Sequence, residues 1–396
     1  MRVGLVGSPR DVHLRRWGSA LSRAGAEVWV FGLEREPDDA VAVKGWSYLP
    51  AEPPLPYIRV IEGIERPWYW DFIRHRRALF QRLQECEIDL AHPIHLSPYG
   101  VWVYLSGFRP YIPFVMGSEL EYTAWGRRQA QRGFWTSHPL LTALRQHTLP
   151  PLLRQTLHQA TLILADNYVL CENTKLLCKN KKILEMPAGV DLVGWGGSGE
   201  GEAGLNRREG WVLAPRGMTR FYQADRILEG FARYWEKGGR LRLLLLTNLY
   251  QADKNILKIS NDFSKKYYEK IKVIDRILSP AQMQRVWREV VAFISAPSYD
   301  GYSYSVAEGR RAGTIPILNA IPGNLEIATH NYNALIVHPF TPETLAKTLH
   351  TLENHLQTFQ KVFAPRNQKW IEHFSNIENH VRLFLKILAE KLKKNP

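Results

Sequence analysis

The sequence predicts an α/β protein built from two Rossmann-like domains. Its 396 residues are 45% hydrophobic and 23% charged, which is the balance of an ordered globular protein too long for one ordinary core. Short apolar, β-rich segments alternate with helical segments, as in parallel sheets covered by helices. This alternation begins twice, once on each side of a Gly-rich segment, so we expect two similar α/β halves.

The individual elements follow from the hydrophobic pattern. In the first half we expect strands at 3–6, 28–31 and 112–115, with helices at 14–24 and 77–83. In the second half the expected strands are 211–214, 241–246, 271–274, 291–294 and 315–318. No repeat of short period accompanies them, which argues against solenoids and coiled coils.

The segment 194–210 marks the boundary between the halves. It is rich in Gly and Glu, with glycines at Gly196, Gly197, Gly199, Gly201 and Gly204. Such a composition buries little and bends freely, so we place domains at 1–193 and 211–372 on either side of this linker. Residues 373–396 close the chain with an amphipathic helix, which we expect to pack on the body and which could cross back to the first domain. Its apolar positions are Val381, Phe384, Ile387, Leu388 and Leu392.

The composition excludes several classes of protein. The cysteines Cys86, Cys171 and Cys178 are odd in number and unclustered, which supports neither a disulfide framework nor a zinc site. Residues 3–6 already form a strand, so we expect no signal peptide, and no apolar stretch approaches the ~20 residues of a membrane span. We therefore expect a cytoplasmic protein. Its net charge of +14 favours acidic partners, which could be anionic lipid, nucleic acid or a phosphorylated substrate.

The most informative segment is Ser-Tyr-Asp-Gly-Tyr-Ser-Tyr-Ser-Val-Ala-Glu at 298–308. It follows a predicted strand and leads into a helix beginning near Ser305, so a tight turn and a helix start are predicted. Unpaired N–H groups there suit a diphosphate, and Gly301 lets the backbone approach. The carboxylates of Asp300 and Glu308 can accept hydrogen bonds from sugar and ribose hydroxyls. The alternative is a capping box, in which Ser305 and Glu308 only stabilise the helix start.

The segment continues with Gly-Arg-Arg-Ala-Gly-Thr-Ile-Pro-Ile-Leu-Asn at 309–319 and Ile-Pro-Gly-Asn-Leu-Glu at 321–326. Here the chain resembles the family-4 glycosyltransferases of the GT-B fold, in which an acidic residue precedes a Glu by the spacing of Asp300 and Glu308. The family's first acidic residue is usually Glu. Met-Pro-Ala-Gly-Val-Asp at 186–191 is similar to the segment that closes the family's first domain. The resemblance implies two parallel sheets facing across an interdomain cleft, with the acceptor on the first domain and the nucleotide sugar on the second.

The resemblance also implies a donor site. Asp300, Glu308, Arg216 and His13 are the expected catalytic residues. Arg216 ends the first strand of the second half, where the family places an Arg against phosphate; an ordinary surface salt bridge is the alternative. The Lys that normally follows is replaced by Phe221 and Tyr222, which leaves Arg220 as the nearest basic substitute. The expected donor-binding residues are Gly301, Tyr302, Ser303, Tyr304, Ser305, Arg220, Ile277, Gly7 and Ser8.

The acceptor side rests on three further segments. The stretch around His13 and Arg16 is similar to a His-x-Arg-Arg-Trp sequence that faces the cleft in some relatives. His92 and His95 form a His-x-x-His pair at a strand end, for which helix capping is an equal alternative. Met116 stands where many relatives have a donor-contacting His, and it is followed by two further expected cleft residues, Ser118 and Glu119.

Residues 122–160 contain no Asp or Glu but combine arginines with aromatic residues. The basic positions are Arg127, Arg128, Arg132, Arg145 and Arg154, and the aromatic ones include Trp125, Phe134 and Trp135. Such a face could lie on an anionic bilayer and bring a lipid-linked acceptor within reach. The alternative is an ordinary solvated basic helix. No RRM, KH or zinc-finger signature supports binding to nucleic acid.

Taken together, the sequence predicts a retaining hexosyltransferase that uses a nucleotide diphosphate sugar, without cofactor or metal, to extend a glycan or lipid-linked acceptor in the cytoplasm or on the inner face of the membrane. Because the usual His and Lys are replaced, a catalytically silent partner subunit that binds a nucleotide sugar or glycan is the main alternative. A peripheral membrane or nucleic-acid-binding protein is a second. The sequence does not identify the donor base, the sugar, the acceptor or the linkage.

Overall fold

The computed structural model describes residues 1–9, 11–34, 57–64, 69–120, 139–179, 181–192, 210–247, 254–274, 278 and 280–392. The chain divides into two compact units. The first contains the described residues up to 191 together with those from 377 onward, and the second contains 192–376. Most of the predicted Gly-rich linker, residues 194–209, lies outside the described residues, as does the first part of the predicted basic aromatic face, residues 122–138.

The first unit is built on parallel strands. Four of them are β1 (Arg2–Val6), β2 (Glu27–Glu34), β3 (Tyr57–Ile64) and β4 (Leu90–Pro93), in the spatial order β3-β2-β1-β4. A second parallel sheet contains β5 (Phe114–Val115), β6 (Ile163–Ala165) and β7 (Ile183–Glu185) in that order. Single parallel bridges from Ala91 to Tyr111 and from Ile94 to Phe114 connect β4 with the β5 edge.

Helices cover these strands. They are α1 (Val12–Arg23), α2 (Tyr69–Arg74), α3 (Arg76–Glu85), α4 (Val101–Ser106), α5 (Pro139–Gln159) and α6 (Tyr168–Leu177). Helix α1 begins where Asp11 accepts a hydrogen bond from the His13 backbone N–H, and its buried face includes Leu14 and Trp17. Trp102 and Tyr111 are fully buried at the centre of the unit.

The second unit contains one parallel six-stranded sheet. Its strands are β8 (Trp211–Ala214), β9 (Arg242–Leu246), β10 (Ile271–Ile274), β11 (Ala292–Ser295), β12 (Ile315–Asn319) and β13 (Leu335–Val337). Its helices are α7 (Ala224–Glu236), α8 (Lys254–Lys266), α9 (Pro280–Glu289), α10 (Tyr304–Arg311), α11 (Pro322–Ile327) and α12 (Pro342–Phe374). The spatial order β10-β9-β8-β11-β12-β13 places the fourth strand beside the first, as in a Rossmann sheet.

Helix α10 is held against α12 by a buried cation. Arg310 is fully buried, and its Nε donates to Asn367 Oδ1 at 2.8 Å. Its guanidinium lies 4.3 Å from the centre of the Trp370 ring. Burial lowers the pKa of Arg310 to about 10, against a smaller opposing effect of Tyr302. These contacts fix the helix that follows the 298–303 turn.

The C-terminal helix α13 (Ile377–Leu392) packs on the first unit, beside α1. Phe384 is fully buried, with its ring centre 5.0 Å from that of His92 and 5.9 Å from that of Trp17. At the start of the helix, Arg23 forms ion pairs with Glu378 at 2.6 Å and Asp191 at 3.1 Å. The end of the chain therefore completes the core of the unit that contains its beginning.

We predict that Phe384→Ala lowers the free energy of unfolding of the first unit by about 3–5 kcal/mol, because it opens a cavity among Trp17, His92 and Phe114. Leu383→Ala is the matched control, since Leu383 is 46% exposed on the same helix and its loss should cost less than about 0.5 kcal/mol. Urea unfolding of both variants checks this. Equal midpoints for the two variants would contradict the packing of α13.

Most predicted elements of the second unit are present with nearly the expected bounds, and the strands at 211–214 and 271–274 coincide with β8 and β10. The predicted strand 112–115 is wrong in extent, since only Phe114–Val115 is a strand. Pro113 has no N–H to donate, which interrupts the ladder. Strands β6 and β13, with three residues each, are too short for a periodic signal.

Candidate functional site

Two loops of the second unit meet at the carboxyl end of its sheet. Strands β8 and β11 are parallel neighbours, with Val212 opposite Ala292 and Leu213 opposite Phe293. Because parallel strands end at the same edge, the loops that follow them emerge side by side. Here the order of strands in space departs from their order in the chain, which is where α/β sheets commonly bind ligands.

An ion pair joins these two loops. The Arg216 guanidinium, two residues after β8, donates to Asp300, which follows β11. Their side chains are 24% and 16% exposed. The guanidinium also lies 4.9 Å from the centre of the Tyr222 ring. Burial acts to lower the pKa of Arg216, but Asp300, Tyr222 and Glu308 raise it above its ordinary value, so the cation remains charged. Arg216 thus forms a salt bridge, as in the alternative left open by the sequence, although both side chains are mostly buried.

Arg216 retains unused hydrogen-bonding capacity. Its Nε is buried and has no hydrogen-bond partner within the described part of the chain. A small pocket beside it is lined mostly by apolar side chains, among them Met218, Ile227, Leu245 and Ile294. A buried N–H without an acceptor is unfavourable by about 1–3 kcal/mol, so an anion that reached Nε would find a donor already in place.

The turn after Asp300 leads directly into α10. Ser303 is the N-cap residue, and its side chain makes no capping hydrogen bond to the helix backbone. Ser305 lies inside the first turn, with its Oγ 3.3 Å from that of Ser303. The capping-box interpretation of Ser305 and Glu308 is therefore wrong, because the N-cap residue is Ser303 and Glu308 lies five residues beyond that cap. The Ser303 side chain therefore accepts no hydrogen bond from the first backbone N–H groups of α10.

Close packing holds this turn in place. At Gly323 in α11, an added Cβ would lie 2.7 Å from the carbonyl oxygen of Asp300 and 2.8 Å from that of Gly301. The Tyr302 and Tyr304 side chains are buried, and the Tyr302 hydroxyl contacts Ser375. The side chains of these two tyrosines therefore pack in the interior of the second unit, and only their backbone groups remain candidates for contact with a ligand.

Glu308 lies within the same region. Its Oε2 accepts a hydrogen bond of 3.2 Å from Trp287 Nε1, and its charge contributes to the raised pKa of Arg216. Arg220 is exposed at the start of a short 3-10 turn, Arg220–Tyr222. The carbonyl of Phe221 accepts from the Ser298 N–H at 2.8 Å, which ties this turn to the loop after β11. Ile277 lies outside the described residues.

The first unit presents polar side chains at the corresponding edge of its own sheet. Gly7 directly follows β1. An added Cβ there would lie only 2.4 Å from Leu14 Cδ1, so the absence of a side chain at Gly7 permits the tight turn into α1. Ser8 hydrogen-bonds to Tyr99, and the partly exposed His13 and Arg16 lie in α1. The Tyr99 hydroxyl donates to Glu34 Oε1 at 2.8 Å.

His95 and Asp11 join this group. His95 Nε2 is 2.9 Å from Asp11 Oδ2, while Asp11 Oδ1 accepts from the His13 N–H at 2.8 Å. Burial acts to raise the pKa of Asp11, but the hydrogen bond with His95 and the nearby His13 lower it to about 2. Asp11 is therefore an ionised carboxylate with a hydrogen bond at each oxygen. It was not among the residues singled out from the sequence.

The expectation that His92 lines a ligand site is wrong. His92 is fully buried among Trp17, Phe114 and Phe384, because β4 carries it into the core. Its Nδ1 donates to the carbonyl oxygen of Ile112 at 2.6 Å. Burial lowers its pKa to about 4, against a smaller opposing effect of that hydrogen bond. Met116 is also buried, and Ser118 and Glu119 lie in the 3-10 turn Gly117–Leu120.

We predict that His92 destabilises the fold in acid. The folded-state pKa of about 4 lies below the ordinary 6.5, so between these values the unfolded chain binds a proton that the folded chain excludes. Stability should therefore fall as pH falls through this window, by about 3 kcal/mol at pH 4. Urea unfolding of wild type and His92→Phe from pH 7 to 4 checks this. The variant should lack that component, and parallel pH curves would contradict the assignment.

Comparison with known proteins identifies the fold. No protein-family model and no curated protein matches the chain. Among solved structures, a glycosyltransferase from Rickettsia africae ESF-5 is similar at 14% identity and a TM-score of 0.72, covering 100% of this chain and 99% of that one. Sucrose-phosphate synthase from Thermosynechococcus elongatus is similar at 15% identity and a TM-score of 0.74, and the match covers 100% of both chains.

A third similar structure, Anabaena Alr3699/HepE in complex with UDP-glucose, shows 11% identity and a TM-score of 0.72 over 98% of this chain and 100% of that one. The chain thus has the two-domain Rossmann-like architecture of GT-B glycosyltransferases. Across the described helices, none combines the length and apolar character needed to cross a membrane.

Proposed function

We propose that this protein is a glycosyltransferase that transfers a hexose from a nucleotide diphosphate sugar to a glycan or lipid-linked acceptor. The observation that carries the proposal is the half-buried Arg216, paired with Asp300 and bearing an unused Nε–H at the carboxyl edge of a Rossmann sheet. Similarity in fold to glycosyltransferases, one of them solved with UDP-glucose, supports the same activity.

In this proposal each group of the second unit has a distinct task. Arg216 and the first N–H groups of α10 bind the diphosphate and stabilise the negative charge that develops on it as the sugar leaves. Asp300 accepts hydrogen bonds from sugar hydroxyls and Glu308 from ribose hydroxyls. Arg220 extends the positive field from an exposed position. The first unit binds the acceptor.

The family resemblance supports two finer statements. Transfer proceeds with retention of anomeric configuration, with the leaving phosphate taking the acceptor proton. No divalent metal takes part in it. A third statement is supported by composition alone: the arginines and aromatic residues of segment 122–160 bring the protein to an anionic membrane on its cytoplasmic side.

A thermal-shift screen with UDP-, GDP-, ADP- and CMP-sugars, with and without EDTA, tests the proposal. A donor present at 100 times its dissociation constant stabilises the folded state by about 2.7 kcal/mol. We predict that one donor stabilises the wild type regardless of EDTA. Arg216→Met should weaken that donor by tenfold or more, because it removes the charge that faces the diphosphate.

Two further variants separate binding from folding. Glu308→Gln keeps a hydrogen-bond acceptor for Trp287 but removes the charge, and we expect it to weaken the donor while preserving the fold. Glu229→Ala, an exposed carboxylate on α7, is the matched control and should leave the donor shift unchanged. A folded wild type that shows no shift with any donor would contradict the proposal and favour a catalytically silent partner subunit.

A further inference from the structure

The ion pair between Arg216 and Asp300 joins two groups to which glycosyl transfer would assign different ligands. The guanidinium suits a diphosphate and the carboxylate suits sugar hydroxyls, yet in this structure the two are in direct contact. Both side chains are mostly buried, which strengthens electrostatic interactions between them and with any ligand. A phosphate that binds Arg216 therefore meets the Asp300 carboxylate beside it.

The other charges near Arg216 add to this effect. Asp300 and Glu308 both raise the pKa of the guanidinium, so two carboxylates act on one buried cation. Tyr222, where the family that the sequence resembles usually has a Lys, supplies an aromatic ring and no charge. Arg220, the next basic residue along the chain, is exposed, so solvent and salt screen its field. A diphosphate at Arg216 would thus lie near two carboxylates as well as near the cation.

Asp300 can nevertheless accept hydrogen bonds from a sugar. Arg216 donates to its Oδ2, and a carboxylate has lone pairs for about four hydrogen bonds on its two oxygens. Sugar hydroxyls that donate to Oδ1 would leave the contact with Arg216 in place. The carboxylate therefore suits a ligand that brings hydroxyl groups and opposes one that brings only negative charge.

The nucleotide sugar and the nucleotide left after transfer differ in this respect. In the nucleotide sugar, the terminal phosphate is esterified to the sugar, whose hydroxyls can donate to Asp300. After transfer that phosphate keeps the oxygen that bonded the sugar and becomes a monoester, whose second ionisation has a pKa of about 6. At pH 7.5 the spent nucleotide thus carries roughly one further negative charge, and it brings no sugar hydroxyls to the carboxylate.

We propose that Asp300 is a specificity-determining residue that favours the nucleotide sugar over the nucleoside diphosphate left after transfer. The proposal rests on the proposed glycosyl transfer and deepens it, since it gives Asp300 a part in product release. With a sugar present, the carboxylate accepts hydroxyl hydrogen bonds. Without one, it competes with the phosphate for Arg216 and repels it.

Isothermal titration calorimetry of the full-length protein tests this with three pairs of ligands, which are UDP and UDP-glucose, GDP and GDP-mannose, and ADP and ADP-glucose. At pH 7.5 we expect the wild type to bind the sugar-bearing member of one pair at least about tenfold more tightly than its nucleoside diphosphate. Asp300→Asn keeps an oxygen that accepts from Arg216 but removes the charge. It should bind that nucleoside diphosphate about tenfold more tightly than wild type does and lose most of the preference for the sugar.

Three further variants separate the charge from the fold. Asp300→Glu keeps the carboxylate and should keep the preference for the nucleotide sugar, whereas a merely structural role would not distinguish it from Asp300→Asn. Asp300→Ser also lacks the charge and carries the same expectation as Asp300→Asn. Glu229→Gln, on the exposed face of α7, is the matched control and should bind both ligands like wild type. Thermal melts without ligand identify the variants that are folded.

A wild type that binds the nucleoside diphosphate as tightly as the nucleotide sugar would overturn the proposal. Folded Asp300→Asn and Asp300→Ser variants that bind the nucleoside diphosphate no more tightly than wild type would do so as well. In both cases, binding of the nucleotide sugar by the wild type would leave the proposed transferase function standing. A wild type that binds no nucleotide sugar would overturn that function and this proposal together.

Discussion

The parallel pairing of β8 with β11 is the constraint on which the candidate donor site depends. It brings Arg216 and Asp300, 84 positions apart in the chain, into direct contact at one edge of the sheet. Neither group could stay charged at this depth alone, because moving an isolated ion out of water is far more costly than one hydrogen bond repays. Gly323 and Arg310 contribute to the same arrangement. Gly323 allows close packing against the carbonyls of Asp300 and Gly301, and Arg310 holds the helix that carries Glu308.

The two units use the same strand order to present different chemistry. In the second, an arginine with a spare Nε–H suits an anionic group such as a diphosphate. In the first, the ionised Asp11 accepts a hydrogen bond from the start of α1 and pairs with the His95 ring. In the proposed transferase the second unit would recognise the leaving group and the first unit the nucleophile, and bringing two ligands together accounts for a large part of catalysis in such enzymes.

The sequence predicts the fold class well because short apolar strands and amphipathic helices have distinct periods. The grouping of Arg216, Asp300 and Glu308 is implied by the family resemblance, and the structure brings these residues together because strand ends in a parallel sheet are neighbours. Three features cannot be predicted from the sequence, for physical reasons. Asp11 is ordinary as a helix cap until His95 approaches it from a distant loop. The turn at Leu96–Gly100, in which Ser97 has extended backbone angles, has no periodic signature, and the burial of His92 depends on Phe384, almost 300 positions away.

Tyr222 lies where the family that the sequence resembles usually has a second basic residue. In this chain its aromatic ring lies against the guanidinium of Arg216. The stacking restrains the cation and contributes on the order of 1 kcal/mol, but it adds no positive charge. In the proposed donor site, the diphosphate would therefore be neutralised by Arg216, the helix N-terminus and the exposed Arg220.

We propose Arg216 as the phosphate-binding cation of this protein. A crystal structure with the nucleoside diphosphate of the preferred donor tests this role. We expect phosphate oxygens within hydrogen-bonding distance of Arg216 Nε and of the backbone N–H groups between Gly301 and Ser305. A diphosphate bound elsewhere, with the Arg216 Nε–H still without an acceptor, would contradict it.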